Sequence, residues 1–469
     1  MSTFSGLGTA LSSLMAQRQA LDVAGQNIAN ANTKGYTRQR AELTSVESLS
    51  VPTMFSSSQA AGNGVKVTGI SRLGDTFLDD RVRAETGTSS FRKAQASALS
   101  RLESTLTEPA DSGVAAALGE YWAAWEDVAN RPDDTAARQV LIGAADAVAS
   151  QVSAGYRATE TQWQQMRTET QTLVTEVNTT AEQVARYNEQ IRSIIVTGGS
   201  PNELVDQRDQ LALRLAELTG ATARHRDDGT MDLLVDGNPL VTGIGASALE
   251  VTGDHRMTDG TTSTINQVGL RWASTGTPVT PTSGVLASHL AVLSPDGPLA
   301  GAAGTWNALA TRLAESVNTI HRTGAGLDGV SGRDFFAVDG GIPATGLRVA
   351  VTDPAQVAAA AVGQGTYDGS LADRLSQVGQ GADSPDRLWR DFVVDLGVRT
   401  RAADQRATVS EAARATAENL QLSQASVDID EETVNMLAIQ RAYEGAARVL
   451  TAVDEMLDVL INRTGVVGR

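Results

Sequence analysis

The stretch Phe4-Ser-Gly-Leu7-Gly-Thr-Ala-Leu11-Ser-Ser-Leu14-Met-Ala-Gln-Arg18-Gln-Ala-Leu21-Asp-Val-Ala-Gly25-Gln-Asn-Ile28 decides how this chain is read. Phe4, Leu7, Leu11, Leu14, Leu21 and Ile28 recur at three- and four-residue steps, broken only by Arg18 and Gly25. This a/d spacing predicts a helix over residues 4 to 32 with one apolar seam. The far end repeats the pattern in Ile439, Ala442, Ala446, Val449, Val453, Met456 and Leu460. Such a seam needs a partner helix, and a terminal helix frays unless tied down. The chain thus carries its stickiest surfaces at its least constrained positions, which suits a subunit that joins a polymer. The expectation is that both helices are unpaired in the free molecule and pair as a coiled coil on assembly.

Composition narrows the classes. A length of 469 residues suggests about three domains. With 55 acidic against 38 basic residues, the net charge of −17 repels phosphate and argues against nucleic acid as a partner. Aromatics are only 4%, so Ala, Val and Leu are expected to fill the cores. The absence of cysteine removes disulfides, thiolate nucleophiles and cysteine zinc sites together. No apolar run is long enough to span a membrane, and the N-terminus lacks the pattern of a cleaved secretory signal. Export, if it occurs, is expected by another route.

Read along the chain, the fold class is mainly α with an inserted all-β domain, an elongated multidomain α+β protein. The first helix ends at Asn32-Thr-Lys-Gly35, where Gly35 can turn left-handed. Gly64-Val-Lys-Val-Thr-Gly69 reads as strand. Helix resumes near Asp75 and runs to about Ile195, broken at Pro109 and Pro132. Within it Val174, Val177, Ala181, Val184, Asn188, Ile191 and Ile195 form a further stripe, with Asn188 as a candidate register-setting polar residue or one point on an ordinary core face. Another helix spans about Asn202 to Leu218. Asp228-Gly229, Asp236-Gly237 and Asp259-Gly260 then mark hairpin turns in a β block reaching about Pro298. Helices follow at Ala300–His321 and Ser384–Leu422, and Asp428 with Glu431 reads as a capping box opening the last helix. The expected domains are 1–40 with 427–469 (terminal coiled coil), 41–220 with 299–426 (long-helix rod), and 221–298 (β insert).

The chemical inventory is poor. His225, His255, His289 and His321 lack metal-ligand spacing and read as packing or surface residues. Gly243-Ile-Gly-Ala-Ser-Ala248 has the letters of a dinucleotide fingerprint but sits among hairpin signals, so it reads as a turn. Glu431 and Glu432 complement a helix dipole. No nucleophile elbow and no persuasive carboxylate pair occur, so neither an enzyme nor a cofactor is expected. The basic cluster Lys34, Arg38 and Arg40 is either a solvated face or a contact to acidic neighbours. Asn27, Asn30 and Asn32 serve either helix termination or hydrogen bonding between subunits.

The segment Asn27-Ile-Ala-Asn-Ala-Asn-Thr-Lys-Gly-Tyr-Thr-Arg-Gln39 resembles the N-terminal signature of bacterial flagellar axial proteins (rod, hook and hook-associated). Its ending, with Gly35, Tyr36 and Arg38, is most similar to hook-associated members. Three further segments agree in order: Asp75-Thr-Phe-Leu-Asp-Asp-Arg81, Asn202-Glu-Leu-Val-Asp-Gln-Arg-Asp-Gln-Leu211, and Val427-Asp-Ile-Asp-Glu-Glu432 leading into Ala438-Ile-Gln-Arg-Ala-Tyr443 and Ala446-Ala-Arg-Val449. The resemblance implies an extracellular structural subunit at the hook–filament junction, exported through the flagellar type III apparatus without a cleaved signal peptide. It implies as partners further copies of itself in a ring, the hook protein, hook-associated protein 3 and a cytoplasmic export chaperone. The expected assembly interface joins the two seams with Asn27, Asn30, Asn32, Gly35, Tyr36, Arg38 and Tyr443. The chaperone is expected on Val449, Val453, Met456 and Leu460. The alternatives are a flagellin-like or hook subunit, a cell-wall hydrolase, or an adhesin with a coiled-coil stalk.

Overall fold

The structure, a computed structural model, describes residues 3–47 and 62–463, with side chains from residue 6 to residue 461. Phe4 lies in the first helix, and its side chain is outside the described residues.

Helix α1 (Thr3–Ala29) ends in turns, where the Asn30 side chain donates back to the Gln26 carbonyl at 3.0 Å. Strands β1 (Gln39–Ser45) and β2 (Val65–Arg72) pair antiparallel, from Gln39 opposite Arg72 to Ser45 opposite Val65, with an irregularity between Glu42 and Leu43. Helix α2 (Thr76–Thr105) is capped by Asp75, which accepts from the Phe77 amide at 2.8 Å. Pro109 and Pro132 fall in the breaks that separate it from α3 (Val114–Asn130) and α4 (Thr135–Val196). At 62 residues α4 is about 93 Å long and forms the spine of the molecule. Helix α5 (Asn202–Thr219) stops at Gly220, whose φ of 70° is a left-handed cap.

The β block forms two antiparallel sheets. One holds β3 (Thr222–His225), β4 (Met231–Val235), β5 (Asn238–Thr242) and β6 (Gly245–Ala246) in chain order. The other holds β7 (Leu249–Thr252), β8 (Gly269–Trp272) and β9 (Pro278–Val279). The dinucleotide-like letters at 243–248 fall on β6 and its turn, as read. Helix α6 (Gly284–Leu293) follows inside the span read as β, and α7 (Pro298–His321) after it. Short pieces β10 (Gly324–Ala325), β11 (Phe336–Val338), α8 (Pro343–Gly346), β12 (Leu347–Val349), β13 (Ala360–Ala361) and α9 (Ser370–Ser376) lead to α10 (Pro385–Ala425) and α11 (Ile429–Asp458). Asp428 caps α11 by accepting from the Asp430 and Glu431 amides, but the Glu431 carboxylate turns to Arg38 at 3.1 Å. The reciprocal half of the predicted capping box is therefore replaced by a tertiary ion pair.

Two cores share α4. In the first, its N-terminal half packs with α2, α3, α7, α9 and α10 around Trp125, Trp163, Trp306, Trp389, Tyr121 and Phe335. In the second, Val174, Val177, Ala181 and Val184 meet Leu215 and Leu218 of α5 and Met231, Leu233, Val241, Leu270 and Trp272 of the sheets. The sheets thus close onto the helices and do not form a core of their own. Aliphatic residues fill most of both cores, yet all 6 tryptophans are buried in them. Scarce aromatics are spent where one large side chain must bridge widely spaced helices.

Gly155 shows how tight that bridging is. A Cβ placed there would come within 2.2 Å of the Trp306 ring, which is backed by Trp389 at a centroid distance of 4.4 Å. Mid-helix Gly→Ala normally stabilises. Here Gly155→Ala is expected to destabilise by about 1–3 kcal/mol through overpacking, read as a lower urea midpoint with unchanged slope.

Buried histidines add a pH term. His321 is fully buried, with Nδ1 2.8 Å from the Arg333 carbonyl and Nε2 accepting the Ala358 amide at 2.9 Å, so it is held neutral. Burial pushes His289 and His321 below the ordinary imidazole value. The unfolded chain binds these protons first as pH falls below about 6.5, so stability drops from there downward. Each histidine contributes a slope of up to about 1.4 kcal/mol per pH unit. Urea titrations at pH 7, 6 and 5.5 check this, and His289→Gln should flatten the curve.

Candidate assembly site at the root of the terminal helices

Helices α1 and α11 lie side by side and antiparallel. A Cβ on Gly6 would sit 3.7 Å from Val453, while Asn27 at the other end donates to Glu432 at 2.9 Å. The contact face of α1 is a row of small residues: Ala10, Ala24 and Asn27 are buried, and Ala20 and Ala24 share a groove with Asn435 and Ile439. Gly6, Ala10, Ser13, Ala16, Ala20, Ala24 and Asn27 follow one another at steps of three and four, a row of small residues beside the leucine row. Small side chains let the two backbones approach. The leucines flank the contact: Leu7, Leu14, Leu21 and Ile28 are half-buried and Leu11 is 49% exposed.

On α11 the predicted stripe splits. Val453 is buried and Ile439 and Ala446 are half-buried, whereas Ala442, Tyr443, Val449, Met456 and Leu460 are exposed. The row facing α1 instead recruits Leu450 and Leu457, both half-buried. The terminal helices therefore meet within one chain, where the sequence suggested they would stay apart. An apolar outer strip remains uncovered in the single chain, with Leu11 and Met15 on α1 and Val449 and Met456 on α11.

Polar residues hold the root of this pair. Asn27 is fully buried, and both ends of its side-chain amide are hydrogen-bonded within the chain. Its amide donates to the Gln39 carbonyl at 2.8 Å and to Glu432, and its oxygen accepts from the Tyr36 hydroxyl at 2.9 Å and the Gln39 amide at 3.0 Å. Arg38 pairs with Glu432 at 2.9 Å and Glu431 at 3.1 Å. Its positive charge is thus neutralised at home, while Arg40 is exposed and pairs with Glu42 at 3.0 Å. Gly35 has φ 79° and abuts the Gln210 side chain, which donates to the Lys34 carbonyl at 2.9 Å. Asn30 serves helix termination, and Asn32 is exposed.

The root is tied to α5. Gln39 donates to Glu203 at 3.3 Å and accepts from Asn202 at 2.9 Å, and the Thr37 amide donates to Asp206 at 3.2 Å. Arg72 of β2 bridges Asp206 at 2.6 Å and Asp209 at 3.1 Å. Burial, reinforced by Glu203, Asp206 and Glu432, pushes the Tyr36 hydroxyl up to about 12, so it remains a donor. Burial raises Asp206 despite Arg72 beside it. Glu432, Glu203, Asp206 and Arg72 escaped the sequence reading as site residues. For the three acids the only signal was that the 202–211 and 427–432 segments carried the resemblance, because exposed-looking acids in a helix's first turns have an adequate local explanation, and Arg72 on a strand had no signal.

Known proteins resemble this chain along its length. Residues 99–336 match the flagellar hook-associated protein FlgK helical domain, 421–463 the flagellar basal body rod FlgEFG protein C-terminal, and 7–37 the flagella basal body rod protein. Flagellar hook-associated protein 1 of Bacillus subtilis is 28% identical over all of both chains. Its counterpart in Escherichia coli is 30% identical over 71% of this chain and 60% of its own. The solved flagellar hook junction protein FlgK from Burkholderia pseudomallei superposes with a TM-score of 0.62 at 17% identity, covering 74% of this chain and all of that one, a likeness of fold. The rod-type matches coincide with α1 and α11, the two helices joined by the Asn27–Glu432 root. The chain belongs to the family of flagellar hook-associated proteins defined by the FlgK helical domain.

Proposed function

We propose that this chain is a non-catalytic structural subunit at the junction between flagellar hook and filament. The observation that carries the reading is the outer apolar strip on the paired terminal helices. Large apolar side chains left in water at heptad spacing are the signature of a surface meant for another helix. In the assembly, the seams Phe4, Leu7, Leu11, Leu14, Leu21 and Ile28 and Ala442, Val449, Met456 and Leu460 pack against neighbouring copies, the hook protein on one side and hook-associated protein 3 on the other. Asn27, Tyr36, Arg38 and Gly35 hold the pair at the correct angle to the body. The terminal pair, the long-helix body and the 221–298 insert are three regions of one subunit, the insert's sheets resting on α4 and α5.

Before assembly a cytoplasmic chaperone covers Val449, Met456 and Leu460. It reaches Val453 only when α11 separates from α1, since Val453 faces the partner helix. Export proceeds through the flagellar type III apparatus. Because α1 builds part of the root, its removal as a signal would dismantle the site. Electron microscopy of a deletion strain tests the role. Bare hooks with flagellin shed into the medium are expected, and normal filaments would refute it.

A further inference from the structure

The root of the terminal helices is one end of a longer buried polar chain. Glu432 meets Arg38 and Asn27, Asn27 meets Gln39, and Gln39 meets Asn202 and Glu203 of α5. On the same helix Asp206 takes the Thr37 amide and Arg72, and Arg72 reaches Asp209. Asp209 pairs with Arg208 at 3.2 Å. Arg208 donates to the Gly229 carbonyl at 2.7 Å and to the Asn188 side chain at 3.4 Å. Asn188 in turn donates to the Met231 and Gly243 carbonyls at 2.8 and 2.7 Å, and accepts the Met231 amide at 3.1 Å. Glu432, Asn27, Gln39, Asn202, Asp206, Arg208 and Asn188 are each at most 8% exposed.

We propose that this network couples the terminal helix pair to the β4–β5 hairpin of the insert, so that the two loosen and tighten together. The physical reason is the alternation of charge in a water-poor interior. Glu432, Asp206 and Arg208 lack solvent to replace a lost partner, and the side chains of Arg38, Arg72 and Asp209 are only 16–20% exposed, so removing one group forces its neighbours to reorient. Asn188 makes the far end stiff, because its amide is shared between the α4 spine and both edges of the β4–β5 hairpin. The register role suggested for Asn188 by its stripe is thus exercised on the hairpin, not on a second helix. The coupling acts in the free chain and does not depend on the junction reading. Where the terminal helices are gripped by neighbours, it would deliver that ordering to the β4–β5 hairpin.

Amide exchange by mass spectrometry on the full-length protein tests this, with peptides covering 34–42 and 228–244. Glu432→Ala is expected to accelerate exchange at Met231 and Gly243 by about fivefold or more, and Asn188→Ala to do the same at Thr37 and Gln39. Coupling is reciprocal, so both directions must appear. Arg214→Gln, which removes bonds to Glu176 and Glu217 on the exposed side of α5, serves as control and should move neither peptide. If Glu432→Ala does not fold, Glu432→Gln replaces it under the same criterion. Changes confined to the substituted end would overturn the proposal, as would an equal response to Arg214→Gln. Normal filaments in the deletion strain alongside intact reciprocal exchange would count against the junction reading alone.

Discussion

Val449→Asp combined with Met456→Asp is expected to abolish incorporation at the hook tip while leaving the free protein folded. Both side chains are about half exposed on α11, at 52% and 51%, so carboxylates there cost the isolated chain little. In a helix-lined wall the same positions would be desolvated. A carboxylate without a partner then costs several kcal/mol per site, and two sites shift an equilibrium by more than a thousandfold. Circular dichroism and melting of the purified variant should match the parent, while cells carrying it should shed flagellin and fail to swim. Val453→Asp is the informative contrast. Val453 is 7% exposed and faces Gly6, so that substitution should separate α11 from α1 before any neighbour is involved. Normal motility in the double variant would remove the outer strip from the assembly interface.

The largest stability effect is expected from Trp163→Ala. Trp163 is fully buried at the middle of the α4 spine, and its indole donates to the Leu293 carbonyl at the end of α6 at 3.2 Å. Truncation empties a site walled by several helices that cannot collapse independently. The loss should be about 3–5 kcal/mol by chemical denaturation. Trp163→Phe keeps most of the apolar volume and leaves the Leu293 carbonyl unpaired, so its cost should be about 1–3 kcal/mol. A Trp163→Ala protein with a parental midpoint would mean that the first core is less tightly filled than its geometry indicates.

How much of the candidate site was legible in the sequence varies with the range of the interaction. The α11 cap at Asp428 and the breaks at Pro109 and Pro132 follow from residues adjacent in the chain and are found where local chemistry places them; Gly35 is left-handed as read, but α1 ends six residues earlier, at Ala29, and Gly35 turns the chain toward β1 without capping it. The a/d rows correctly located amphipathic terminal helices. They did not reveal that a second row joins the two helices within the chain, because spacing ranks positions by side-chain size and close helix approach favours small ones. Ala10, Ala20 and Ala24 therefore take the contact, and Leu11 is left outside. Arg38 shows the same limit in electrostatics: as part of a basic cluster it looked like a bid for acidic neighbours, yet its partners stand 393 and 394 positions away in the same chain.

By itself, the sequence determined the helical character of both ends, the β nature of the hairpin block, the absence of thiol chemistry and the resemblance to axial proteins. Each of these depends on composition, on period, or on motifs a few residues long. Only the tertiary structure decided that the ends pair within one chain, that the sheets share the α4 spine's core, and that Glu432, Asn27, Asp206, Arg208 and Asn188 form one buried polar chain. The physical reason is that a polar residue's worth depends on whether water can replace its partner, and burial is a property of the folded molecule that no local pattern records.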